Sequence, residues 1–171
     1  MNLVITGNPG VGKHTIAELF LKYDASYQIL DINKFAIEND FGERNDDGIE
    51  VDTTRLKNEI QKLNLDKLLI VGHLAPYVLD ESDIDLAIIL RRNPYTLIEI
   101  YKERNYQDSK IKQNAGSEIL GVIANDSITS FGKEKSFEID VTTLARFCCR
   151  MLVASNLKNN PDSTKLILLG Y

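Results

Sequence analysis

Gly7-Asn8-Pro9-Gly10-Val11-Gly12-Lys13-His14-Thr15 is the stretch that decides the reading of this 171-residue chain. An apolar run, Leu3-Val4-Ile5, leads into it, and a helix-compatible run, Ile16-Ala17-Glu18-Leu19-Phe20-Leu21, leads out. Strand, glycine-rich turn and helix form the context that a phosphate-binding loop needs. Residues without Cβ let backbone N–H groups converge on an anion, and the following helix adds its unpaired first-turn N–H groups and dipole. Lys13 brings a full positive charge to the β- and γ-phosphates. The spacing fits G-x-x-x-x-G-K, with His14 where Ser or Thr normally follows and Thr15 one place late. His14 therefore removes the hydroxyl that usually holds Mg²⁺, and reads as solvent-facing or bonded to a neighbour rather than as a direct ligand. Gly10, Val11, Gly12, Lys13, His14 and Thr15 are the loop positions expected to contact ATP.

Bulk composition is that of one globular domain with a substantial core, 43% hydrophobic and with no apolar run long enough to span a membrane. The chain enters its first strand without a basic-then-apolar leader, so a cytoplasmic location is expected. The two cysteines, Cys148 and Cys149, are adjacent within an expected helix. Neighbouring helical residues point about 100° apart, which disfavours a disulfide between them and suits buried thiols in a reducing compartment. The net charge of −5 argues against broad nucleic-acid binding while leaving room for a local basic cleft or a basic partner.

Outward from the loop, strands and helices alternate. Tyr27 to Asp31 reads as a second strand, Ile32 to Asn39 as a helix, and Asp40 to Gly48 as a polar, mobile loop. Val51-Asp52-Thr53-Thr54 offers N-cap candidates for a helix whose buried face is Leu56, Ile60 and Leu63. Leu68-Leu69-Ile70-Val71 and Leu86-Ala87-Ile88-Ile89-Leu90 are continuous apolar runs, as expected of strands covered on both faces. Helices follow over Tyr95–Arg104 and Lys110 to about Asn125, then a strand at Phe137-Glu138-Ile139 and a helix from Val141 to Leu157. The alternation predicts an α/β P-loop NTPase fold, a parallel five-stranded sheet with helices on both faces.

What receives the phosphate is read from basic residues elsewhere. Arg104 and Lys110 flank Asn105-Tyr106-Gln107-Asp108-Ser109, either a cationic lid that closes over transferring phosphates or a solvated helix–helix loop. Arg91-Arg92 ends a strand, as phosphate ligand or as surface charge. His73, at the carboxyl edge of the sheet where ligands bind, either holds the next turn or meets substrate phosphate or attacking water. Asp31 is a helix N-cap or, as the only nearby acid, a substitute in a metal shell.

These residues carry a family resemblance. Gly7-x-Pro9-Gly10-x-Gly12-Lys13-x-Thr15 resembles the P-loop of nucleoside monophosphate kinases. Val51-Asp52-x-x-x-Leu56, Gly72-His73, Leu90-Arg91, Arg104-x-Tyr106, Lys110-Ile111-x-x-Asn114-x-x-x-Glu118-Ile119 and Glu138-Ile139-Asp140 are similar to motifs of the adenylate kinase isoenzyme-six family. The resemblance covers roughly residues 1–157 and leaves 158–171 as a tail. It implies the reaction ATP + AMP to two ADP with broad monophosphate preference, ATPase activity, Mg²⁺ with ATP, and binding to ribosomal protein uS11 during maturation of the small ribosomal subunit. It implies a monophosphate-binding region at about 30–53 and a short lid at about 104–114, with Arg104 as the lid arginine on ATP, Lys13, Arg104 and Lys110 in catalysis, and Asp31, Asn33, Lys34, His73 and Arg91 toward the monophosphate. Mg²⁺ would be held through Thr15, water or Asp31. The chain departs from the family at His14, at Val71-Gly72 where relatives carry an acid, at Ile100 in place of an arginine, and at Asn105 in place of a lid glycine. A nucleotide-switched assembly factor that binds uS11, with weak or no kinase activity, is the alternative that the missing acid and Ile100 favour.

Overall fold

The computed structural model describes residues 1–45, 48–63 and 66–142, with backbone alone for those among 43–49. The helix expected over Val141–Leu157, both cysteines and the apolar tail lie outside the described residues. Five strands form one parallel sheet: β1 (Leu3–Gly7), β2 (Gln28–Asp31), β5 (Leu68–Val71), β6 (Leu86–Arg91) and β7 (Ser136–Asp140), in the order β2-β5-β1-β6-β7. The α/β expectation is met.

Alternate residues of the central strands point to opposite faces, so every one of them needs a cover. On one face Leu3, Ile5, Leu69, Val71, Ile88 and Leu90 pack against α1 (Lys13–Tyr23), α5 (Pro94–Glu103) and α6 (Asp108–Leu120) through Ile16, Leu97, Tyr101 and Ile111. On the other, Val4, Leu68, Ile70 and Ala87 meet α2 (Ile32–Glu38), α3 (Thr53–Ile60), α4 (Ala75–Val78) and α7 (Val122–Phe131) through Ile32, Ala36, Leu56, Ile60, Val78 and Phe131. The chain leaves β1 toward β2 and β5 on one side and returns to β6 on the other. The turn after β1 therefore lies at the topological switch point, where open α/β sheets bind ligands.

Three expectations are corrected. The polar stretch after α2 is not a loop but an antiparallel hairpin, β3 (Gly42–Asn45) with β4 (Gly48–Val51), in which Asn45 stands opposite Gly48. Its turn-rich composition marks a chain reversal between two short strands that pair only with each other. The helix expected from Lys110 to Asn125 breaks at Gly121 (φ 66°), which ends α6 in the left-handed region and starts α7. Leu63 lies beyond the end of α3 and is 37% exposed, whereas Leu56 and Ile60 are buried.

Candidate functional site

Gly7, Gly10 and Gly12 all take positive φ, so the loop doubles back over the end of β1. At Gly7 a Cβ would lie 2.4 Å from the Leu90 carbonyl oxygen, so no side chain fits between the neighbouring strands. α1 starts at Lys13 with Gly12 as its cap, no side-chain cap hydrogen bond and no acid in its first turn. Its leading N–H groups and the positive end of its dipole are left for an anion. Lys13 is 6% exposed, and its ammonium donates to the carbonyls of Gly7 and Asn8, both at 2.9 Å. Burial pulls its pKa down to about 8, Arg104 adds to the fall, and Asp31 and Glu118 oppose it.

This loop floors a cleft of about 960 Å³. Lys13, Arg104, Lys110 and His73 all line it, together with Thr15. The Arg104–Lys110 part of the lining is built by a helix ending of known geometry. Asn105 N–H donates to the Lys102 carbonyl and Tyr106 N–H to that of Tyr101, with Asn105 at φ 55°. That is a Schellman closure with asparagine in the left-handed position usually given to glycine. Asparagine at 105 thus takes the left-handed conformation that glycine adopts most easily. Tyr106 then stacks on Tyr101 at 5.6 Å, Tyr101 donates its hydroxyl to the Pro9 carbonyl at 2.7 Å, and Lys110 sits 4.8 Å over the Tyr106 ring. Ile100, where the family arginine is expected, packs among the apolar residues beside Gly10.

Across the cleft, α2 and the hairpin contribute Asn33, Ile37 and Val51. Asn33 Nδ2 lies 3.1 Å from His73 Nδ1, so the imidazole accepts there and carries its proton on Nε2. Burial, reinforced by Lys13 and Lys110, lowers the His73 pKa to about 4, which keeps the ring neutral at ordinary pH. Asp31 caps α2 through Lys34 N–H at 3.0 Å, and its other oxygen meets His14 Nε2 at 2.6 Å. Burial would raise this carboxyl, but the hydrogen bonds from His14 and the backbone outweigh it and hold the pKa below the usual range. His14 is thus bonded to a neighbour.

The remaining candidates fall elsewhere. Arg91 does not line this cleft: its guanidinium binds Glu118 and Glu138, each at 2.8 Å, and faces a smaller hollow with Arg92. Those partners lie far ahead in the chain, so a strand-end cation could not be told from a ligand. Lys34 points along α2 to Glu38 at 3.6 Å and does not line the cleft, Val11 is buried in the core, and Asp31 lies behind His14. Sequence reasoning passed over Gln113 and Ser117, which line the cleft from α6 with Lys110 and Asn114. Their three- and four-residue spacing gives that helix a polar face, the signal that could have found them.

A metal ion has few ready ligands here. Among the described residues no cluster of three or more His, Cys, Asp or Glu side chains is assembled. No acid follows β5, and a Cβ on Gly72 would lie 2.9 Å from Ile32 Cβ. What is present is oxygen: the Thr15 hydroxyl at the cleft, the Asp31 carboxylate behind His14, and a buried Asn33 Oδ1 without a hydrogen-bond partner. This set fits a Mg²⁺ that arrives on nucleotide phosphates and keeps most of its waters, not a protein-built cage.

Residues 3–121 match the AAA domain family. Among curated relatives, a protein of Saccharolobus islandicus strain L.S.2.15 named "Putative adenylate kinase" is 33% identical over 148 residues, 85% of this chain and 77% of the relative. Proteins of the same name from Thermococcus kodakarensis and Pyrococcus furiosus are 32% and 35% identical, over 83% of this chain and 77% and 76% of the relatives. Among solved structures, shikimate kinase from Bacteroides thetaiotaomicron superposes with TM-score 0.55 at 17% identity, over 84% of this chain and 88% of that one. Deoxyadenosine kinase from M. mycoides with bound dATP gives TM-score 0.51 at 14% identity, over 94% of this chain and 100% of that one. The structural likenesses establish the fold. No helix among the described residues is long and apolar enough to cross a membrane.

Proposed function

This chain belongs to the AAA domain family and to the family of the relatives named "Putative adenylate kinase" just described, and from that premise we propose that it is a nucleoside monophosphate kinase, transferring the ATP γ-phosphoryl group to AMP to give two ADP. The observation that carries this reading is a single cleft with two unlike walls. One wall is the phosphate loop with Lys13, Arg104 and Lys110; the other is α2 and the hairpin with Asn33, Ile37 and Val51. A triphosphate alone needs only the first wall. The second offers an acceptor an apolar surface beside polar groups, in keeping with broad monophosphate preference and with ATP hydrolysis when the acceptor place is empty.

Phosphoryl transfer asks the protein for position and charge neutralisation, not for a covalent partner. The loop amides and Lys13 hold the donor phosphates. Arg104 and Lys110 approach from the lid, where closure places cations against the equatorial oxygens and excludes water. His73, neutral with its proton on Nε2, is a hydrogen-bond donor to the acceptor phosphate and not a general base. Mg²⁺ bound with ATP would neutralise β- and γ-phosphate charge, with Thr15, water and Asp31 as the places this chain would hold it.

Following ADP formation from ATP-Mg²⁺ with and without AMP tests the reading. AMP should raise ADP production well above simple hydrolysis, and Lys13→Ala should abolish it. An AMP-independent rate would sink the kinase assignment. The end of β5 favours a second reading, because Gly72 leaves no carboxylate to orient a metal: a nucleotide-switched assembly factor for the small ribosomal subunit that binds uS11 and hydrolyses ATP slowly. Retention of purified uS11 in one nucleotide state and release in another supports that reading; no retention in any state removes it.

A further inference from the structure

Glu118 is a carboxylate at 2% exposure near the end of α6, outside the residues that line the cleft. A buried acid needs several partners, and this one has donors on both oxygens. Its Oε2 accepts from Asn8 Nδ2 at 2.6 Å; its Oε1 accepts from Arg91 Nε at 2.8 Å and from Arg92 N–H at 3.1 Å. The preceding residue grips the same loop side chain, since Ser117 Oγ donates to Asn8 Oδ1 at 2.9 Å. Both ends of the Asn8 amide are therefore held by one turn of α6, while the Asn8 carbonyl holds the Lys13 ammonium. Eight residues before Glu118 on the same 13-residue helix, Lys110 lines the cleft.

We propose that Glu118 is a positioning residue for the phosphate loop: through Asn8 it fixes the loop and the lid helix α6 as one rigid unit in the shape that receives a triphosphate. The Arg91 and Arg92 contacts anchor the carboxylate to the end of β6, so the loop is referenced to the sheet and not only to its own helix. Arg91 acquires its role here, as the counter-charge of the positioning carboxylate. Closure is then confined to the segment between Arg104 and Lys110, because the far end of α6 cannot move without dragging the loop.

The proposal rests on reading this cleft as a nucleoside triphosphate site, so ATP binding is measured directly by calorimetry, without acceptor. Absence of ATP binding by the unaltered protein counts against that reading; binding that the variants leave unchanged counts against Glu118 alone. Glu118→Gln turns one oxygen into a donor that must face other donors, and should weaken ATP binding about tenfold, the worth of one charge-assisted hydrogen bond. Asn8→Asp sets two carboxylates against each other and should weaken it further. The double variant, Asn8→Asp with Glu118→Gln, restores a donor–acceptor match at the same net charge and should bind ATP at least tenfold more tightly than Asn8→Asp alone. AMP affinity should move less than about twofold throughout, which separates positioning of the loop from a general loss of structure. Ser117→Ala removes the second hold on Asn8, from a side chain that also lines the cleft, and should weaken ATP binding about threefold even if Glu118→Gln does not fold. Additive effects in the double variant, or ATP affinity unchanged in Ser117→Ala, overturn the proposal.

Discussion

His14 and Asp31 meet at 2.6 Å, tying the first turn of α1 to the start of α2. The histidine that replaces the expected hydroxyl thus also occupies the carboxylate that caps α2. His14→Ser reverses both effects: it supplies a hydroxyl after Lys13 and frees Asp31 Oδ2, while the cap from Asp31 Oδ1 to Lys34 N–H persists. The Mg²⁺ concentration at half-maximal activity should fall severalfold, read from a metal titration at saturating ATP. Stability should change by less than about 1 kcal/mol, because the His14 side chain is 59% exposed. An unchanged or raised Mg²⁺ requirement would show that Asp31 takes no part in the metal shell.

Lys13 sets the alkaline limit. Its pKa in the folded protein is about 8 against an ordinary value of 10.5. The unfolded chain therefore binds the extra proton between those values, and burial of the ammonium costs stability below about pH 8 that is relieved as pH rises toward 10.5. Triphosphate binding has the opposite sign, since it needs the charge. ATP affinity should be flat up to about pH 7.5 and fall by up to about tenfold per unit above 8. Calorimetric titrations across pH 7–10 check it, and affinity that is level to pH 10 would mean the ammonium is not the phosphate ligand.

His73 sets an acid limit on stability. With its folded pKa near 4 and an ordinary value of 6.5, the unfolded state takes up the proton first as pH falls. Stability is lost through that window, by at most about 3 kcal/mol. His73→Gln should flatten the dependence of the denaturant midpoint on pH between 6.5 and 4. A slope the same as that of the unaltered protein would assign acid sensitivity elsewhere.

Asn105 is where a sequence departure and its structural consequence can be compared directly. The position demands the left-handed conformation, with φ at 55°, and the Schellman bonds from Asn105 and Tyr106 depend on it. Asn105→Gly should leave stability within about 0.5 kcal/mol, since easier left-handed geometry is offset by a freer unfolded chain. Asn105→Val should cost about 1–2 kcal/mol and raise the KM for ATP, because a β-branched residue forces open this turn at the edge of the cleft. Thermal midpoints with steady-state kinetics decide it; a fully stable valine variant would mean the turn has another accessible form.

The parts of the fold that were legible are those in which local chemistry and burial agree. β1, β5 and β6 are apolar because both faces are covered, and Asp31 and Asp52 announce α2 and α3 by capping them. The hairpin was not legible because its strands are only four residues each and pair only with each other, so the brief alternation of Ile49-Glu50-Val51 is too short to stand out beside the polar β3. The α6–α7 break hides behind continuous helical periodicity on either side of Gly121. In the site, Lys13 follows from loop spacing alone. Arg91 does not, because its fate depends on Glu118 and Glu138, 27 and 47 residues away.

The missing acid after β5 cannot simply be put back. A Cβ on Gly72 would stand 2.9 Å from Ile32 Cβ and 3.5 Å from the unpartnered Asn33 Oδ1, and Ile32 is fully buried at the start of α2. Gly72→Ala should therefore already cost about 1–3 kcal/mol, as overpacking does. Gly72→Asp should cost at least as much and set a carboxylate toward another acceptor. Because the clash is with the Ile32 Cβ atom itself, Ile32→Ala offers no relief, and its own loss of about 2–5 kcal/mol should add to that of Gly72→Asp. Denaturant unfolding of the two single variants and the double measures this. A Gly72→Asp protein of normal stability and lower Mg²⁺ requirement would show that α2 can shift to admit a side chain, and that only the acid itself was lacking.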